Sequence, residues 1–137
     1  MRTSDRLRIA GVVFVFLWFF IGGIAHFAAT DTEMRIVPPF IPWPRATVLV
    51  TGAFELLGAF GVLRASLRPA AGAGLLLLTL AVTPANVYML QRWELFPIPY
   101  WALVARLPLQ AVLLVIIAWS TEVARLLRPS TRALHTI

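Results

Sequence analysis

The sequence contains no cysteine. That removes disulfides, thiolate metal sites, iron–sulfur clusters and dithiol redox chemistry from this chain. Lysine is missing too, so all twelve basic residues are arginine. Charge of any kind is scarce. Charged residues make up 13% of the 137, against about 25% in a soluble domain. No HExxH, Walker loop, GxGxxG or Gly-x-Ser-x-Gly occurs. The two histidines are His26 and His135, the second in the C-terminal tail, so they cannot clamp one haem within a single chain. No metal site is expected. The formal charge of +6 does not mark a nucleic-acid binder, because the arginines are scattered singly between apolar runs and form no basic face.

What the chain has in abundance is oil. Hydrophobic residues are 60% of the sequence, and the mean hydropathy is +0.84. A single soluble core could not hide this much apolar surface, so the solvent is lipid. Four apolar runs, 9–29, 46–63, 70–90 and 101–123, approach the 20 or so residues that cross a hydrocarbon core. They lack the alternation of barrel strands, and only helices or closed barrels satisfy the backbone in lipid. The expected fold is therefore all-α, one domain, a four-helix transmembrane bundle. The first run is longer than a signal-peptide core and ends in a poor cleavage site, His26-Phe27-Ala28-Ala29-Thr30, which predicts an uncleaved anchor.

Arginine counting orients the bundle. Arg2, Arg6, Arg8, Arg64, Arg68, Arg125, Arg128 and Arg132 share one side. Arg35, Arg45 and Arg92 share the other, offset by Asp31, Glu33 and Glu94. The positive-inside rule puts both termini in the cytoplasm. The link after residue 63 is short, which predicts antiparallel neighbours for the second and third spans. The outer loop 36–44 reads IVPPFIPWP. Its prolines forbid a regular helix and its aromatics suit the headgroup zone, so a stiff lid is expected there.

Polar residues inside the apolar runs are the candidate site. They are His26, Glu55, Asn86, Arg106 and Gln110. An ionisable group in hydrocarbon costs several kcal/mol unless it faces protein or water. At about 1.5 Å per residue, all five fall in the outer half of the bilayer or near its centre, and no ionisable group falls in the inner half. Arg106 and Gln110 share a helical stripe. Glu55 shares one with Thr51, Gly52, Gly58 and Ala59, and Gly22 and Gly23 precede His26. Such small residues permit close helix packing. Glu55 and Arg106 are the expected buried ion pair, whose loss of one partner would cost about 3–5 kcal/mol.

A structural reading stands beside each functional one. The ion pair could serve only to fix helix register. His26 could cap a helix, Asn86 could satisfy carbonyls freed at Pro84, and Gln110 could be interhelical glue.

The stretches TGAFELLG at 51–58, PANVYM at 84–89 and RLPLQ at 106–110, together with His26-Phe27 and the Pro-rich 36–42, resemble the DoxX-like family of small bacterial four-helix membrane proteins. The resemblance spans about residues 10 to 120. It implies a multi-pass protein of the bacterial inner membrane, and a link to quinone oxidoreductase subunits and their redox partners. On that basis the five residues would line a pocket for a quinone or other small amphipathic ligand. The chain would be at most an accessory subunit of a quinone-linked oxidoreductase working with a membrane or soluble redox partner. Arg106 would hold a carbonyl or anionic group, Glu55 would take a proton and His26 would shuttle it. The alternatives are a non-enzymatic assembly subunit, and a small transporter acting as a homo-oligomer.

Overall fold

The computed structural model describes residues 2–128, and all regular structure among them is helical. Arg132 and His135, placed above in the tail, lie outside the described residues. In chain order the helices are α1 (Thr3–Ala28), α2 (Thr30–Met34), α3 (Pro44–Leu63), α4 (Arg68–Ala81), α5 (Thr83–Gln91) and α6 (Tyr100–Ser120). Short 3-10 turns follow α5 at Trp93–Leu95 and α6 at Val123–Leu127.

Four stretches are long and apolar enough to cross a membrane: Thr3–Ala28, Pro44–Leu63, Arg68–Gln91 and Tyr100–Ser120. The expected spans fall largely within them. The first begins earlier than its apolar run because the charged tail is itself helical. There the Arg2 backbone N–H donates to Asp5 Oδ2 at 3.1 Å, closing the first turn. Pro44 and Pro69 open α3 and α4, where a missing N–H is harmless and the fixed φ suits a helix.

The third span is broken rather than continuous. Pro84 cannot donate to the carbonyl four residues earlier and its ring crowds that carbonyl. The chain therefore leaves the helix at Val82 and restarts as α5.

The helices form a ring. The α1 helix packs most extensively on α3, α3 on α4, and α4 and α1 each on α6. The short link puts α3 beside α4 as expected, and Arg68 Nε closes it by donating to the Val62 carbonyl at 2.7 Å. The diagonal pairs, α3 with α6 and α1 with α4, share no substantial face. The core lies on the axis of the ring and includes Val15, Phe19, Ala59, Leu75 and Ile117. Residues such as Ile21, Leu57, Leu77 and Val115 point outward and stay exposed. In lipid this outer face gains nothing by burial, so packing and hydrogen bonds must hold the ring together.

The ends of α1 and α6 meet at one pole. Arg8 Nη1 donates to Glu122 Oε1 at 2.8 Å, and Arg125 Nη2 reaches the same oxygen at 2.9 Å. This corrects the expectation that the half of the bundle remote from the Pro-rich loop holds no ionisable group. Arg8, counted above only as an orienting charge, has its Nε buried.

Candidate functional site

Glycine sets the geometry of one wall. A Cβ on Gly52 would lie 2.5 Å from His26 Cβ, and one on Gly22 would lie 2.6 Å from Glu55 Oε2. The missing side chains let α1 and α3 approach until the histidine of one faces the carboxylate of the other. His26 Nε2 stands 3.5 Å from Glu55 Oε1, and both side chains are largely buried.

The other ring nitrogen fixes the tautomer. His26 Nδ1 lies 2.8 Å from the Val48 carbonyl, which can only accept, so Nδ1 carries a hydrogen. Thr51 Oγ1, 3.2 Å from Nδ1, directs its own hydrogen to the Thr47 or Val48 carbonyl and serves as a second acceptor. Nε2 is thereby the ring nitrogen that faces the carboxylate. A single proton on either member would make the pair neutral overall, the charge state an apolar surrounding favours.

The opposite wall is a chain of amides. Arg106 Nε donates to Asn86 Oδ1 at 3.0 Å. Asn86 Nδ2 donates to Gln110 Oε1 at 2.6 Å. Gln110 Nε2 donates in turn to the Thr83 hydroxyl and, at 3.1 Å, to the Thr79 carbonyl. The chain ends at the break in the third span, where Thr79 and Thr83 stand on either side of Val82. Gln110, rather than Asn86, therefore serves the backbone at that break.

The expected pair of Glu55 and Arg106 is not formed. Glu55 belongs to α3 and Arg106 to α6, which lie diagonally across the ring, so each finds its partner on an adjacent helix. Nor is Arg106 buried. It is exposed, and its two terminal nitrogens have no hydrogen-bond partner among the described residues.

All five candidates nevertheless line one cavity of about 580 Å³. That volume falls among ordinary small-molecule sites, which span about 300–1,000 Å³. Phe19, Val48, Leu78 and Leu113 give it apolar surface. Ile36, Val37, Pro38 and Ile41 of the Pro-rich segment also line it, as a lid would. That segment ends at Trp43, whose φ of 53° is left-handed.

One cavity residue escaped the sequence reading. Glu33, on the short helix α2, also lines the space and is partly buried. It had been treated only as a loop charge offsetting arginines. Its place three residues before the lid is the signal that could have singled it out. Among the described residues no group of three or more His, Cys, Asp or Glu side chains is arranged to hold a metal ion.

A family model described as "Domain of unknown function (DUF8561)" matches residues 15–124. No curated protein and no solved structure matches the chain.

Proposed function

The chain belongs to the DUF8561 family, and we propose that it is a multi-pass membrane protein that holds a small amphipathic ligand beneath the Pro-rich lid. The observation that carries this reading is the convergence of His26, Glu55, Asn86, Arg106 and Gln110 on one otherwise apolar cavity. Interhelical bonds alone would fix helix register, but here the bonded groups also line open space, and the guanidinium keeps donors free.

The arrangement divides the work. Arg106, aimed by Asn86 and Gln110, presents hydrogen-bond donors to a carbonyl or anionic head. The dyad of His26 and Glu55 can pass a proton between its two members without changing its net charge, and offers a neighbouring group a partner for proton exchange. The apolar walls take the rest of the molecule. A quinone fits this division, with one carbonyl at Arg106 and the other near the dyad, and electrons brought by a redox partner protein. The resemblance to DoxX-like proteins supports that finer version, which also places the chain in a bacterial inner membrane with both ends inside. Reporter fusions near residues 33 and 125 test the orientation, the first expected outside and the second inside.

The cavity is tested by what the purified protein retains. Protein extracted with native lipid should carry a stoichiometric amphiphile detectable by mass spectrometry. Ala85→Phe, which projects a ring into the lining, should lose it while the fold survives. Equal retention by both proteins would place the amphiphile on the outer face and remove the proposal.

A second reading has its own observation. A groove of about 460 Å³ lies between α3 and α4, lined by Phe54, Leu57, Gly58, Ala71, Gly74 and Leu75 among others. Its apolar surface suits another transmembrane helix, as an assembly subunit would need. Co-purification of a stoichiometric membrane partner with an empty cavity would favour it.

A further inference from the structure

The chain has six acidic residues. Asp5 accepts from the Arg2 backbone, Asp31 faces Arg45 at 3.7 Å, Glu55 faces His26, Glu94 accepts from Arg92, and Glu122 holds Arg8 and Arg125. Of these six, all among the described residues, only Glu33 has no side-chain hydrogen bond or ion pair. Arginine outnumbers acid by two to one in this sequence, so a lone carboxylate is not explained by a shortage of cations. Arg35, two residues away, and Arg45 are on neighbouring elements, yet neither pairs with it.

Glu33 lines the same cavity as Arg106, whose terminal nitrogens are equally unpartnered. The carboxylate comes from α2 and the guanidinium from α6, and they form no ion pair with each other. His26 and Glu55 answer each other at 3.5 Å. The cavity therefore carries one unmatched anion and one unmatched cation. Charges at the edge of hydrocarbon are stable when paired. A neutral ligand such as a quinone answers Arg106 and leaves Glu33 unanswered.

We infer that the occupant is a zwitterionic amphiphile, with an ammonium group at Glu33 and a phosphate or carboxylate at Arg106. This rests on the cavity reading above and names the chemical class of its ligand. The apolar lining takes an acyl or alkyl chain, and the lid residues Ile36 and Val37 close over the headgroup. A membrane aminophospholipid and a single-chain amphiphile with the same head share this chemistry.

The test uses the full-length protein in a neutral detergent and four probes of matched chain length. They are lysophosphatidylethanolamine, lysophosphatidylglycerol, an alkylammonium and a short-chain quinone, with binding read by native mass spectrometry. The zwitterion should bind about tenfold or more tighter than the other three, the factor a charge-assisted contact supplies. Glu33→Gln should erase its advantage over the anionic lipid, and Arg106→Gln its advantage over the alkylammonium. Glu33→Arg should reverse the preference toward the anionic lipid, a gain that misfolding cannot mimic. Adding the diacyl lipid as competitor separates the sources, since displacement marks a membrane phospholipid and its failure a single-chain ligand. Quinone binding that equals the zwitterion's and ignores Glu33→Gln would overturn the inference while leaving the cavity reading intact. Binding of no probe by the wild-type protein would overturn both.

Discussion

His26 Nε2 faces Glu55 Oε1 at 3.5 Å across a helix crossing that Gly22 and Gly52 make close. Two residues that would each be costly alone in a membrane thus answer each other on a cavity wall.

A reagent that needs a protonated carboxyl in apolar surroundings, such as a hydrophobic carbodiimide, should label Glu55. His26→Phe should raise that labelling, since it removes the partner that faces Oε1. Peptide mass mapping reads the result. Equal or lower labelling in the variant would mean that the histidine does not engage the carboxyl.

Gly52→Ala places a methyl 2.5 Å from His26 Cβ, an atom that cannot yield without a shift of the α1 backbone. Overpacking of this kind costs about 1–3 kcal/mol. Gly74→Ala is the control, because nothing lies within 4 Å of the added carbon. Unfolding in detergent should separate the two. Equal stability of the two variants would show that the α1 and α3 crossing has slack.

Gln110→Leu removes the partner of Asn86 Nδ2 and the donor that serves the Thr83 hydroxyl and the Thr79 carbonyl, leaving that carbonyl only the Thr83 hydroxyl as a side-chain donor, at 3.4 Å. Interhelical hydrogen bonds in membranes average about 0.6 kcal/mol and reach about 1.7 kcal/mol, so the loss should lie toward the upper figure. Arg106→Gln should cost less stability, since Arg106 is exposed and only its Nε is engaged. Thermal denaturation of both variants checks the order.

At the other pole, Glu122 joins α1 to the turn after α6 through Arg8 and Arg125. Hydrogen bonds to charged groups contribute about 1.5–3 kcal/mol. Glu122→Gln should therefore lower stability, and a double-mutant cycle with Arg8→Gln should give a coupling of the same sign. Ligand retention in the cavity should not change, because these residues do not line it.

The four spans and the meeting of the polar residues were legible in the sequence for a physical reason. Hydropathy fixes which segments lie in lipid, and rise per residue fixes depth. Neither fixes which helices are neighbours. Glu55 and Arg106 have matching charge and similar depth, but they sit on α3 and α6, which the ring keeps apart. The glycines at 22 and 52 held the missing clue, because they mark the face where α1 and α3 touch, and that face carries both His26 and Glu55. Pro84 signalled the break at Val82, though the sequence assigned its repair to Asn86 rather than Gln110. Glu33 was hidden because α2 is a five-residue helix in a stretch read as loop, and a loop carboxylate has an aqueous explanation.

The most direct measurement is an experimental density map of the protein extracted with its native lipids, inspected between Glu33 and Arg106. The account predicts an elongated molecule with its head between those two side chains, beside the His26 and Glu55 pair, and its tail along Phe19 and Leu113. A closed, collapsed cavity with Arg106 turned to the headgroup zone and no density beside Glu55 would contradict it.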